Sequence, residues 1–292
     1  MRPQTFHASA RGRLGRLLVY AVLFVFVLYF IAPLTVMLMT SVKSMEEIRA
    51  GSLISLPGRP TPAPWIKAWD TATIGVTNEG IKGFFWNSIR MVVPAVLIST
   101  LIGALNGYVL AMWRFKGSDT FFALLLLGCF IPFQVILLPM ARTLGLLGLS
   151  GSVWGLVLVH TIYGLAFTTL FFRNYYVAVP AELVKAARID GAGFWRIFVR
   201  IMLPLSLPIF MVTLIWQTTQ IWNDFLFGVC FSTGATQPVT VALNNLVNTS
   251  SSAKEYNVDM AAAIIAALPT LFVYFVAGKY FVRGLTAGAV KG

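Results

Sequence analysis

Charged residues are scarce in this sequence, and acidic residues are scarcer still. Only 11% of the 292 residues are charged, with 10 Asp and Glu against 22 Lys and Arg, whereas soluble domains carry about 25% charged residues. Cysteine is nearly absent: Cys129 and Cys230 are the only two, and both lie in apolar stretches. These shortages exclude an ordinary soluble enzyme and a secreted domain built on disulfides.

Catalytic and energy-coupling motifs are also missing. The sequence has no G-x-x-x-x-G-K-[ST] phosphate-binding loop, no H-E-x-x-H motif and no Cys/His cluster. Its two histidines, His7 and His160, are far apart, and His160 has the setting of a packed helix residue. We therefore predict no catalytic residue, no metal site and no cofactor bound by this chain.

Apolar residues are abundant. They make up 58% of the chain, and the mean hydropathy is +0.81. Apolar runs of about 20 residues recur along the chain, and each is long enough to cross a hydrocarbon core of about 30 Å. The pattern predicts an all-α polytopic membrane protein with six transmembrane helices, at 17–40, 86–112, 120–141, 152–173, 203–229 and 258–282.

The basic residues predict how the chain is oriented. Six spans place both termini on one side of the membrane, and on that side bases far outnumber acids. These bases are Arg2, Arg11, Arg13, Arg16, Arg114, Lys116, Arg173, Lys185, Arg188, Arg196, Arg200, Lys279, Arg283 and Lys291. The predicted transmembrane domain covers 17–282. By the positive-inside rule, the segments on either side of it are cytoplasmic: the N-terminal segment 1–16 and the C-terminal tail 283–292. The excess of basic residues lies beside the membrane lipid and orients the chain. It does not indicate nucleic acid, and we predict no nucleic-acid partner.

Two charged residues fall inside the predicted spans, more than three residues from either end. Arg90 lies early in the second span and Asp224 late in the fifth, both toward the outer ends. An unpaired charge at mid-membrane costs about 2.5–3.5 kcal/mol or more. Two interpretations are open: Arg90 and Asp224 form an ion pair, or Arg90 extends its side chain to the interface.

Two long outer loops are predicted, at 42–84 and 230–257. The first contains LPGRPTPAPW followed by Trp69, and proline at this density favours a stiff, extended segment. Trp65 and Trp69 have two open interpretations. They are anchors at headgroup depth, where Trp is enriched, or they form a docking surface for an external partner.

Polar residues recur at helical spacing in the fifth span. Thr213, Gln217, Gln220 and Asp224 fall on one helix face at i, i+4, i+7 and i+11. This polar stripe either makes interhelical hydrogen bonds or forms the wall of a polar substrate path, with Asn223, Asn106 and Gln134 as further candidates. Asp224 is the only acid more than three residues inside a predicted span, which disfavours a self-contained ion-coupled carrier.

The inner loop at 176–204 is the most informative segment. Pro180 and Glu182 favour a helix start, and Ala186 and Ala187 give a narrow surface that another protein's groove could accept. Asp190-Gly191 predicts the helix end, because glycine adopts the left-handed conformation without steric cost. The expected shape is a short helix, a turn and re-entry into the membrane.

This loop resembles the signature of permease subunits of binding-protein-dependent ABC importers: E-A-A, three residues, G, nine residues, I-x-L-P. The matching residues are Lys185-Ala186-Ala187, Gly191 and Ile201-Met202-Leu203-Pro204, with both spacings intact. Because Lys185 replaces the signature's Glu, an acidic contact at this position is not carried over, and Glu182 is the candidate substitute.

Further segments resemble the sugar-importer branch related to maltose permeases: Trp222-Asn223-Asp224-Phe225, Gln237-Pro238 and the tail 283–292.

The resemblance implies a type I importer permease in a bacterial-type inner (plasma) membrane. It implies that the loop docks on a separate ATP-binding subunit, present in two copies, which holds the ATP and magnesium, with the tail as a second contact. It also implies a second homologous permease and a periplasmic or lipid-anchored solute-binding protein. The expected substrate is glucose, mannose or a related sugar. The alternatives are a polyol, an oligosaccharide or glycerol phosphate, and a stand-alone secondary carrier is the rival from another class.

Overall fold

The computed structural model describes residues 10–52, 54–248 and 254–289, with side chains for 14–52, 54–248 and 254–278. Arg2 and Lys291, at the predicted cytoplasmic termini, lie outside the described residues. In this part of the chain the regular structure is helical, with two isolated bridges and no strand, so the all-α prediction is confirmed. The helices are α1 (Ala10–Ser41), α2 (Met45–Ala50), α3 (Ala63–Asp70), α4 (Lys82–Met112), α5 (Ser118–Phe130), α6 (Phe133–Leu146), α7 (Val153–Val177), α8 (Ala181–Ile189), α9 (Phe194–Ile197), α10 (Leu203–Leu205), α11 (Leu207–Trp222), α12 (Leu226–Phe231), α13 (Val239–Asn248) and α14 (Tyr256–Ala289).

Four helices in the described residues are long and apolar enough to cross a membrane by themselves. They are α1, α4, α7 and α14. Two bent pairs reach the same length together, which brings the number of possible spans to six. The number six therefore holds only if each bent pair counts as one span.

The third predicted span, 120–141, is not a straight helix. It consists of α5 and α6, whose axes differ by 102°. Proline has no N–H to continue a helix and forces the residue before it into an extended conformation. Ile131 accordingly adopts φ −70° and ψ 119° before Pro132, and this bend corrects the continuous span that the apolar run predicts.

The fifth predicted span, 203–229, also departs from a single helix. The segment Phe194–Leu205 meets α11 at 74°, and α11 ends at Trp222, before the separate helix α12. The break follows from polar side chains that compete for backbone groups. Asn223 Nδ2 donates to Thr219 O at 2.9 Å, and the Asp224 carboxylate accepts from the N–H groups of α12.

Helices α4 and α7 form the central packing seam. A Cβ on Gly103 would lie 2.3 Å from Thr168 Oγ1, and one on Gly107 would lie 2.6 Å from the backbone N of Arg173. Thr168 Oγ1 also donates to Ser99 O at 3.0 Å. Small residues in a G-x-x-x-G pattern allow such close approach of two backbones.

The loop at 42–84 folds as a cap on the end of α14. Helix α3 packs on α14 through a buried cluster that includes Ala68 and Ala262. Trp65 Nε1 donates to Ser41 Oγ at 3.2 Å, and the Trp69 ring lies 5.4 Å from Phe85. Both tryptophans are half-buried against the protein itself, and the two interpretations of their exposed parts, as membrane anchors or as a docking surface, stay predictions.

Candidate functional site

Helix α8 ends at a well-defined glycine turn. Gly191 has φ +76°, its N–H donates to Arg188 O at 3.0 Å, and Ala192 N–H donates to Ala187 O at 2.9 Å. This pair of bonds is a Schellman motif, which satisfies the last carbonyls of a helix and requires a left-handed residue. The predicted helix and turn at Asp190-Gly191 are confirmed.

The two faces of α8 differ in exposure. Glu182, Lys185 and Ala186 are exposed, whereas Val184 and Ala187 are buried against the protein. Ala187 was expected on the narrow outward surface, and that placement is wrong. The reason is helical geometry, because Ala187 lies three residues after Val184 and shares its inward face.

An aromatic cluster attaches this segment to the end of α4. The Arg188 guanidinium lies 4.0 Å above the Trp113 ring and donates to Met112 O at 3.4 Å, at the last residue of α4. The Tyr108 ring stacks on Phe198 at 5.2 Å, and its hydroxyl donates to Phe194 O at 3.3 Å. The segment is therefore a packed part of the protein and not a free loop.

The end of the same segment is tied to α7. Ile201 and Leu203 are half-buried against the aromatic cluster, and Pro204 is exposed. Tyr175 Oη donates to Leu205 O at 2.6 Å, and Ser206 Oγ donates to Tyr176 Oη at 2.7 Å. Ser206 lies at the 74° bend before α11, so the segment from α8 to this bend contacts both α4 and α7.

The polar stripe divides into two groups in the structure. Gln217 is buried, and its Nε2 donates to Ser99 Oγ on α4 at 2.9 Å. Thr213 bonds the backbone of its own helix, and Asn106 Nδ2 donates to Thr169 Oγ1 on α7 at 3.3 Å. For these residues the structure matches the interpretation as hydrogen bonds within the helix bundle.

The other group faces a cavity of about 450 Å³ between α6, α7, α11 and α12. Its polar lining includes Gln220, Asn223 and Asp224, and also Gln217, which therefore belongs to both groups. Gln134 lies outside this lining, exposed on α6 beside Phe133, which does line the cavity. Cavities of this size fall within the range of small-molecule sites, about 300–1,000 Å³.

Arg90 and Asp224 do not form an ion pair in this structure. Arg90 is exposed on α4. The Asp224 carboxylate instead accepts from the backbone N–H groups of Phe227 at 3.4 Å and Gly228 at 3.2 Å. The break after Trp222 turns Asp224 toward α12, which the assumption of one continuous helix did not anticipate.

Several residues of the cavity wall were missed from the sequence. His160 Nε2 lies 3.7 Å from Asp224 Oδ2, and the aromatic wall consists of Phe133, Tyr163, Phe167, Trp216, Phe225 and Phe227. A signal was available, because His160, Tyr163 and Phe167 follow one another at i, i+3 and i+7 on a single face of α7. No group of three or more metal-binding side chains occurs in the described residues.

The sequence matches one transport family over most of its length. Residues 99–286 match the family described as "Binding-protein-dependent transport system inner membrane component". The chain belongs to this family. The resemblance drawn from the loop signature is confirmed, and the permease is an integral inner-membrane transport subunit.

Named relatives of the permease agree with this assignment. It is 33% identical over 297 residues to a xylose/arabinose import permease of Haloferax volcanii, covering 94% of each chain. It is 48% identical over 180 residues to a probable ABC transporter permease of Pyrococcus horikoshii, covering 61% of this chain and 65% of that protein. Membership of the family sets aside the stand-alone secondary carrier.

A solved structure shows the same fold. A chain of a bacterial ABC transporter for import of the acidic polysaccharide alginate superposes with a TM-score of 0.82. The superposition covers 95% of this permease and all of that chain, at 20% sequence identity. At this identity the likeness establishes the importer permease fold and leaves the substrate open.

Proposed function

We propose that this permease is one membrane subunit of an ATP-driven importer that moves a sugar from a solute-binding protein into the cytoplasm. The observation that carries the sugar assignment is the cavity beside α11. It combines aromatic faces with amide and carboxylate groups. Weakly positive sugar C–H groups pack on the negative face of an aromatic ring, and amides and carboxylates hydrogen-bond hydroxyls.

Helix α8 supplies the contact with the ATP-binding subunit in this proposal. Glu182, Lys185, Ala186, Asp190 and Gly191 are exposed at one end of the molecule, while Val184 and Ala187 hold the helix in place. Through the aromatic cluster, a shift of the docked α8 moves α4, α7 and α11 together. Rigid-body movement of this kind alternates access to a site between two permease subunits.

The charge of the cavity bears on the choice of substrate. Asp224 contributes a carboxylate, and no Lys or Arg lines the cavity among the residues that the structure describes. Arg90, the base that a glycerol phosphate site would have used, does not line the cavity. The proposal therefore favours sugars, including oligosaccharides, over glycerol phosphate. Glucose, mannose, xylose and arabinose are the first candidates to test.

Purification followed by reconstitution tests this function. The tagged permease, isolated in mild detergent, is expected to bring with it an ATPase with a phosphate-binding loop and a second permease, both identified by mass spectrometry. Proteoliposomes of that complex, with binding protein outside and ATP inside, should accumulate one of the four radiolabelled sugars. If none of the four is accumulated, oligosaccharides of the same sugars are tested next. Repeated isolation of the chain alone, or accumulation of no sugar or oligosaccharide by the complete complex, would contradict the proposal.

A further inference from the structure

The His160 side chain has a buried polar atom with no partner. Only 5% of this side chain is exposed, and its Nε2 has no hydrogen-bond partner among the described residues. The distance of 3.7 Å to Asp224 Oδ2 is too long for a hydrogen bond. Buried polar atoms in native proteins are nearly always paired, so an unpaired one calls for an explanation. This one belongs to a residue that lines the cavity.

The surroundings hold His160 and Asp224 in fixed positions. The imidazole ring lies 5.4 Å from the Phe227 ring, in an edge contact. The Asp224 carboxylate is fixed by two backbone N–H groups, and Thr240 Oγ1 donates to Asp224 O at 2.7 Å. A carboxylate has about four lone-pair sites, so Asp224 retains capacity to accept hydrogen bonds from a ligand.

Aromatic rings form a second wall of the cavity. The Phe167 and Trp216 rings lie 4.6 Å apart, and the Tyr163 ring lies 6.3 Å from Phe167. These rings give an apolar surface, while His160 and Asp224 give adjacent polar groups. A sugar ring has this combination of an apolar face and an edge of hydroxyl groups.

Hydroxyl groups suit the His160–Asp224 pair better than a carboxylate does. A hydroxyl both donates and accepts, so one hydroxyl can donate to the carboxylate while a neighbouring one bonds Nε2. A carboxylate on the ligand would meet Asp224, and no Lys or Arg of the described part of the chain lies in the lining to offset the repulsion. Like charges placed together in an interface are strongly unfavourable.

We propose that His160 and Asp224 form a hydroxyl-binding site in this subunit, and that the site selects neutral sugars against sugar acids. The inference rests on the proposed function, because it assigns the binding chemistry of the same cavity. It adds His160 as a binding residue and gives the subunit its own contact with substrate. The selection is local to the cavity and separate from any choice made by the binding protein.

Saturation-transfer difference NMR on the whole complex in nanodiscs tests the site without the binding protein. D-glucose, D-xylose and D-glucuronate are the probes, because glucose and glucuronate differ at one carbon. We expect saturation transfer to the two neutral sugars and at least fivefold less to glucuronate. His160→Leu should reduce the glucose signal about tenfold, and Asp224→Asn should narrow the difference between glucose and glucuronate.

Two further variants separate loss of binding from loss of folding. His160→Gln keeps a polar group at the position, so it should recover part of the glucose signal that His160→Leu loses. Trp154→Ala removes an exposed tryptophan on α7 outside the cavity lining and should leave the signal unchanged. Recovery of the assembled complex and its thermal unfolding temperature report on folding for each variant.

The outcomes distinguish this inference from the proposed function. A glucose signal that His160→Leu leaves unchanged, or a wild-type glucuronate signal equal to that of glucose, would overturn the hydroxyl-binding site. ATP-driven sugar uptake with no saturation transfer to either neutral sugar would overturn it too, while leaving the importer assignment intact. Absence of ATP-driven uptake of any sugar by the complete complex would instead refute the proposed function.

Discussion

Gly191 fixes the end of helix α8 through its backbone conformation. At φ +76° it adopts the left-handed region, and nothing lies within 4 Å of the position that a Cβ would take. A side chain here would therefore be opposed by backbone strain alone, since space is available. That strain is about 1–2 kcal/mol for an L-residue, so the site separates conformational effects from steric ones.

Substitution of Gly191 should uncouple transport from ATP hydrolysis. Proline fixes φ near −65° and removes the N–H that donates to Arg188 O, so Gly191→Pro redirects the chain after α8. We expect the complex to assemble while ATP-driven sugar uptake falls to background, and Gly191→Ala should give a partial loss. Uptake and ATPase rates in proteoliposomes measure both effects.

The matched control for Gly191 is two residues away. Gly193 has φ −77°, an ordinary extended conformation, and a Cβ at this position would meet open space. Gly193→Ala should therefore transport normally. Full ATP-coupled uptake by Gly191→Pro would argue against docking through α8.

Residues differ in how far the sequence alone predicts their roles. The turn at Gly191 was predictable, because helix ends depend on local backbone preferences. The partners of Asp224 were not, because they depend on a break in the helix and on packing between distant segments. His160 gave a weak signal, since a single histidine in an apolar helix has the same pattern whether its ring is packed or faces a cavity.

At the scale of helices, the α4–α7 seam depends on the size of Gly107. A Cβ at this position would lie 2.6 Å from the backbone N of Arg173 and 2.7 Å from Phe172 Cβ. A backbone atom cannot rotate away, so the two helices would have to separate. Overpacking of this kind costs about 1–3 kcal/mol.

Gly107→Ala should consequently lower the thermal unfolding temperature of the purified permease complex. Gly83→Ala, on the same helix, places its Cβ where nothing lies within 4 Å and should leave that temperature unchanged. Tryptophan fluorescence during heating in detergent measures both variants. Equal unfolding temperatures for the two would show that α4 and α7 are not packed as described.

Helices were predicted better by position than by shape. Apolar runs located the helices and bent helix pairs that are long and apolar enough to cross a membrane, because this property depends on length and hydropathy alone. The 102° bend at Pro132 and the break after Trp222 were missed, because apolar residues continue on both sides of each. Hydropathy does not predict the direction of a helix axis. The cavity lies beside α6 and α12, where the chain changes direction.

Across the whole molecule, packed clusters occupy both ends of the helix bundle. At one end the aromatic cluster joins α8 and α9 to α4 and α7. At the other end α3 packs on α14, with ion pairs Lys67–Glu255 at 2.5 Å and Lys254–Asp259 at 3.2 Å. The Lys67–Glu255 pair is exposed on both sides, and such a pair adds about 0–1 kcal/mol, whereas the Asp259 carboxylate of the second pair is buried. The cavity lies between these two ends.

The charge distribution predicts which end faces the cytoplasm. Lys116, in the connection between α4 and α5, belongs to the strongly basic side, whereas Val76 lies in the 42–84 cap on the opposite side, and both are exposed. By the positive-inside rule, the side of Lys116 is cytoplasmic.

Single cysteines at these two positions, in a background where Cys129 and Cys230 are replaced by Ser, test this orientation with a membrane-impermeant maleimide. We expect Val76→Cys to react in intact spheroplasts and Lys116→Cys to react only after permeabilisation. The reverse pattern would invert the orientation and place α8 outside, where it could not meet an ATP-binding subunit.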